Sequence, residues 1–168
     1  GSGATAEVAV SYFFGGPVAN VPVQWNVLAE PYRLSPPALG AYSFGDDDDT
    51  WRCFDCWWQP APPPTPILSG SGTTDGQGRL RIAIPPDLKD AQGDAITTSV
   101  RLIIEATATG SDNQTLAGRS QLVVHKGDMA IGLASRRYVA AVNEEQQVDL
   151  VVVDTQGSRL AGRSVSVE

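Results

Sequence analysis

The sequence predicts an all-β protein built as an antiparallel β-sandwich. Three observations carry this reading. Apolar and polar residues alternate with period two along most of the 168 residues, no long window shows a helical stripe, and clusters of Gly, Asp, Asn and Pro recur between the alternating runs. Many short strands at this spacing form the pattern of an immunoglobulin- or fibronectin-like sandwich.

From the N-terminus, alternation predicts strands at about 6–14 (Val8, Val10, Tyr12) and 20–29 (Val21, Val23, Trp25), joined through Gly15-Gly16-Pro17. The pattern then breaks. The stretch from about 35 to 76 holds Pro36-Pro37, the run Asp46-Asp47-Asp48-Asp49, a Cys/Trp cluster and a proline-rich run over 60–66, and reads as an irregular loop inserted in the first domain. After Asp75-Gly76-Gln77-Gly78 a strand is expected at about 78–85, where Leu80, Ile82 and Ile84 share a face against Arg79 and Arg81. In the next, at about 98–109, Val100, Leu102 and Ile104 oppose Arg101 and Glu105, so one face is core and the other meets water. Gly110-Ser111-Asp112-Asn113 then leads into a strand at about 118–126. A last set is expected at about 129–134, 146–154 and 163–167, with Gln156-Gly157 turning between the final two.

An internal repeat organises these elements. At an offset of 142, Gly15-Gly16-Pro17-Val18-Ala19-Asn20-Val21-Pro22-Val23-Gln24-Trp25 lines up without a gap on Gly157-Ser158-Arg159-Leu160-Ala161-Gly162-Arg163-Ser164-Val165-Ser166-Val167. Few side chains are identical, but each copy has an alternating strand, a Gly-bearing connection and a second alternating strand. One β-β unit is therefore used twice. The expected organisation is a first domain over 1–126 and, over 127–168, the incomplete start of a second domain of the same kind. The pentapeptide Leu116-Ala117-Gly118-Arg119-Ser120 also recurs identically as Leu160-Ala161-Gly162-Arg163-Ser164, which predicts a shared turn whose glycine adopts a positive φ.

Composition excludes some functions. With 12 Lys+Arg against 19 Asp+Glu, the net charge is -7, the wrong sign for a phosphate backbone, so nucleic acid is not an expected partner. No apolar run approaches the ~20 residues that span a bilayer. Gly1-Ser2-Gly3 has no basic and apolar leader pattern, so an export signal is expected outside this sequence. The two cysteines, Cys53 and Cys56, are compatible with an oxidising compartment.

The candidate chemistry sits in the 35–76 stretch. Cys53-Phe54-Asp55-Cys56 has a redox-like spacing, but it follows four acidic residues that raise a thiol pKa and has no βαβ pattern around it. A loop-locking disulfide is the preferred reading, with redox or metal use as alternatives; two thiols and the distant His125 do not make a four-ligand zinc site. The aspartate run lacks the alternation and closing glutamate of a calcium loop and reads as a solvated charge run. Trp51, Phe54, Trp57 and Trp58 expose a large apolar area unless they fold back on the sandwich or meet a partner, either a sugar or a protein. No nucleophile elbow or phosphate-binding glycine loop accompanies the one histidine, so the chain is not expected to be an enzyme and no cofactor is expected.

Three stretches resemble a known family. Tyr12-Phe13-Phe14-Gly15-Gly16-Pro17-Val18-Ala19-Asn20-Val21-Pro22-Val23-Gln24-Trp25 is similar to the strand-turn-strand opening of a macroglobulin-like domain in the bacterial alpha-2-macroglobulins. Ser69 through Leu80 resembles that family's Thr-Asp-x-x-Gly turn, and Ile131-Gly132-Leu133 with Val148 through Gly157 looks like the start of the next such domain. The resemblance implies large extracytoplasmic protease traps, in the periplasm or at the cell surface, in which a cut bait segment triggers caging of the protease. It also implies, for many members, a thioester within a Cys-x-x-Gln motif. These domains are then expected to be scaffold without catalysis or a reactive centre, with neighbouring macroglobulin-like domains of the same chain and, through the whole protein, target proteases as partners. The competing expectation is an immunoglobulin-like module of a bacterial adhesin or carbohydrate-binding protein that uses the Trp-rich loop.

Overall fold

The computed structural model describes residues 3–45, 63–110, 113–137 and 139–166. The chain divides into two units, one formed by Gly1–Pro31 with Pro62–Val124 and the other by Tyr32–Ala61 with His125–Glu168.

The first unit is an antiparallel β-sandwich. Its strands are β1 (Ala4–Ala9), β2 (Pro22–Pro31), β3 (Thr65–Thr73), β4 (Arg79–Ile84), β5 (Val100–Thr109) and β6 (Thr115–Val124). One sheet runs β3-β2-β5-β6 and the other is the pair β1-β4. The alternation read from sequence puts Leu102, Ile104, Val27, Ile82 and Ile84 into one buried cluster between the sheets, with Ala4, Ala6, Val8 and Trp25 against it. Val21, Val23, Ala106 and Ala108 continue the core towards one end. The opposite faces carry ion pairs, Glu7 with Arg79 and Arg81, and Glu30 with Arg101 at 2.7 Å.

Strand β3 lies inside the stretch expected to be irregular. The reason is close packing. A Cβ at Gly70 would sit 2.4 Å from the Trp25 ring and one at Gly72 2.7 Å from Leu80 Cδ1, so two inward positions of this strand, following Leu68, are held to glycine and carry no apolar signal. The repeated pentapeptide also divides. Leu116–Ser120 is plain strand, paired across to Ala108 through Ile104, whereas Gly162 alone takes the positive φ, +70°. Pairing with β5 holds the first copy in strand conformation.

In the second unit β7 (Met129–Ser135) pairs antiparallel with β8 (Val148–Asp154), from Met129↔Asp154 to Ser135↔Val148. Residues 32–45, of which 35–45 fall in the stretch expected as an irregular loop, group with this unit. They carry a 3₁₀ turn at Pro37–Leu39 and bridge β7 through Ser43 and Leu133, each N–H donating to the other's carbonyl at 2.8 and 2.9 Å. Leu39 is buried with Val151 and Val153, and Leu34, Tyr42, Phe44 and Ala130 pack round them. Phe44 lies so close over Gly132 that a Cβ there would be 2.7 Å from its ring. Residues 163–166, expected as a strand, form none.

Candidate functional site

The residues that sequence reasoning singled out, Trp51, Cys53, Phe54, Cys56, Trp57 and Trp58, lie outside the described residues, as does the aspartate run. The structure therefore speaks to the surfaces that remain. His125 packs edge-on to the Tyr32 ring, centroids 5.4 Å apart, a contact between aromatic rings. Among the described residues no group of three or more His, Cys, Asp or Glu is placed to hold a metal ion, and no helix is long and apolar enough to cross a membrane.

The internal repeat is visible as repeated hydrogen bonds. After β1, Tyr12 N donates to Gly16 O, Gly15 N to Tyr12 O and Val18 N to Val10 O, at 3.0, 3.0 and 2.9 Å. After β8, Asp154 N donates to Ser158 O, Gly157 N to Asp154 O and Leu160 N to Val152 O, at 2.9, 3.0 and 2.8 Å. Every donor and acceptor is displaced by the same 142 positions. Gly15 and Gly157 both take positive φ, +90° and +82°. The backbone plan is shared although the side chains are not.

What the two copies present differs. The first turn exposes Tyr12, Phe13 and Phe14, with the Tyr12 and Phe14 rings stacked 5.4 Å apart. In the second, Asp154 Oδ1 accepts from Gln156 N and Ser158 N, and Pro36 covers Gly157. The sequence signal for this second kind of turn is Asp-x-Gln-Gly. It also occurs at Asp75 and at Asp90, where each carboxylate accepts from the same two relative positions and Gly78 and Gly93 take positive φ. Asp90 was not among the turns read from sequence, though the motif that marks it was present.

Apolar surface is also left open on strands. Leu116 and Leu122 of β6 face the sandwich interior yet are 60% and 38% exposed, and Met129, Ile131, Leu133, Val148 and Leu150 of the β7-β8 hairpin stand partly exposed. Contiguous exposed apolar surface is uncommon on a soluble domain and marks places where other surfaces can pack.

No protein-family model matches the chain, and no curated protein does. Solved structures do. E. coli alpha-2-macroglobulin in its native conformation matches with a TM-score of 0.60 at 17% identity, over 94% of this chain and 10% of that chain. Trypsin-activated E. coli alpha-2-macroglobulin gives 0.59 at 17%, over 93% and 11%. Salmonella alpha-2-macroglobulin reacted with methylamine gives 0.55 at 15%, over 94% and 11%. The chain has the fold of part of a bacterial alpha-2-macroglobulin. It spans about a tenth of the length of these structures, and at this identity the match establishes fold.

The expectation that these domains carry no reactive centre needs one correction from the sequence itself. Cys56-Trp57-Trp58-Gln59 does have the bare Cys-x-x-Gln spacing, so the stretch is not free of that pattern. Like the rest of the cluster, it lies outside the described residues.

Proposed function

We propose that this chain is a non-catalytic, structural part of a bacterial alpha-2-macroglobulin-like endopeptidase inhibitor that acts outside the cytoplasm. The observation that carries the reading is the fold match over 94% of the chain, strengthened by the backbone plan that recurs at 142 residues, as an array of like domains requires. On this reading the strands set the spacing of neighbouring domains, and the protease meets surfaces of the whole polypeptide. The second reading, a carbohydrate- or surface-binding module, is kept because of Trp51, Trp57 and Trp58.

Tryptophan fluorescence of the 168-residue chain during titration with oligosaccharides separates the two. The scaffold reading expects no saturable change, and expects the isolated chain neither to cleave nor to inhibit trypsin. Saturable quenching that vanishes in Trp57→Ala would transfer the function to the loop.

A further inference from the structure

The turns that begin at Tyr12, Asp75, Asp90 and Asp154 share one backbone pattern. In each, the N–H of the first residue donates to the carbonyl of the fifth, and the N–H of the fourth donates to the carbonyl of the first. At Asp75, Asp90 and Asp154 one carboxylate oxygen also accepts from the N–H groups two and four residues on, at 2.9–3.0 Å. Tyr12 stands where the others carry aspartate, so the corresponding donors, Phe14 N and Gly16 N, have no carboxylate to converge on. The side chains gained in exchange point outward. Phe13 and Phe14 are 107% and 87% exposed, the Tyr12 and Phe14 rings lie parallel within 5°, and Gly15 has open space where a Cβ would stand.

The second copy of the repeat shows what seats on such a turn. Pro36 is buried against Gly157, the counterpart of Gly15, with its Cβ and Cγ 2.7 Å from where a glycine Cβ would stand. Its φ of -66° and ψ of 128° are those of polyproline II. The first turn has the same backbone and no such cover.

Charge narrows the choice of ligand. No Lys or Arg precedes Arg33, and Arg79, beside the base of the turn at Gly78, is paired with Glu7 at 3.1 Å. An acidic ligand therefore finds no free cation at the tip. What the tip offers is aromatic faces and two backbone donors that converge where one acceptor fits. A polyproline II segment matches both, because its rings pack on aromatic side chains and its carbonyls are not bonded within its own helix.

We infer that the Tyr12–Gly16 turn is a recognition tip for an uncharged Pro-Pro segment of a partner polypeptide, held in polyproline II form. One proline sits over Gly15 as Pro36 sits over Gly157, the Phe13 and Phe14 rings flank it, and a carbonyl of the segment accepts from Phe14 N and Gly16 N in place of the carboxylate. This depends on the comparison of the turns alone, and protease trapping plays no part in it.

The test uses the 168-residue chain and a fluorescein-labelled peptide of its own residues Leu34-Ser35-Pro36-Pro37-Ala38-Leu39. Saturable binding is expected, unchanged by high salt and lost when both prolines of the peptide are replaced by alanine. Phe13→Ser should weaken it about tenfold or more. Tyr12→Asp restores the capping carboxylate, so this variant should be at least as stable as wild type and yet bind as weakly, which separates recognition from folding. No saturable binding, or binding indifferent to both substitutions, overturns the inference. Tighter binding of the peptide carrying Ser35→Glu would assign the tip to acidic segments and overturn it. Binding to phosphatidylcholine vesicles that Phe13→Ser abolishes, without peptide binding, would assign the tip to a lipid surface and likewise overturn it. Peptide binding lost in Trp57→Ala but kept in Phe13→Ser would place the site in the Trp-rich stretch, with the same consequence.

Discussion

Thr74 is the single buried polar side chain among the described residues, and its position explains its chemistry. Its hydroxyl accepts from Val21 N at 3.0 Å and donates to Val18 O at 2.9 Å, fastening the turn before β2 to the end of β3. Thr74→Val removes the acceptor and strands a buried N–H, so it should cost about 1–3 kcal/mol in chemical denaturation, while Thr74→Ser should stay near wild type. Equal stability of Thr74→Val would show that the clasp contributes nothing. Two glycines make a sharper comparison. Gly78 has φ +73° and its missing Cβ would lie 2.5 Å from Val10 O, whereas Gly15 has φ +90° with open space around it. Gly15→Ala should carry only the conformational cost, roughly 1 kcal/mol, and Gly78→Ala appreciably more. The reverse order in denaturation midpoints would contradict the backbone contact.

Among the elements, strands with one apolar face were legible from sequence because burial imposes a period of two, as in β4 and β5. Strand β3 was not, since after Leu68 its next two inward positions are Gly70 and Gly72, where close approach of Trp25 and Leu80 replaces hydrophobic side chains as the organising contact. The 32–45 segment was also hidden. Its partners Val151, Val153 and Leu133 come from far along the chain, and local pattern holds no record of so distant a contact. Phe44→Ala removes the ring that covers Gly132 and should destabilise the second unit by about 1–3 kcal/mol, less than full burial would give because Phe44 is half-buried. Amide exchange should quicken at Ser43 and Leu133 together, with Leu102 and Ile103 unchanged. Quickening confined to the first unit would mean that the segment belongs there.

At the scale of the molecule, alternation and turn chemistry sufficed for the fold class, and the repeat found in sequence reappears as hydrogen bonds 142 residues apart. The Cys/Trp stretch was legible only as composition: the sequence spacing of Cys53 and Cys56 fits a disulfide, and that of Cys56 and Gln59 the bare thioester pattern. Intact mass distinguishes these. A disulfide lacks two hydrogens relative to the free thiols and a thioester lacks one ammonia; the disulfide is the expected result, and an ammonia deficit that methylamine converts to a free thiol and an N-methylamide, one CH2 heavier than the unmodified chain, would replace it. The central claim, that this fold serves as scaffold in a protease trap, is tested most directly on the whole polypeptide that carries the chain. After incubation with trypsin, trapped protease should still cleave a small chromogenic substrate while losing activity on a large protein substrate. Parallel loss or parallel retention of both activities, with the polypeptide simply degraded, would contradict it.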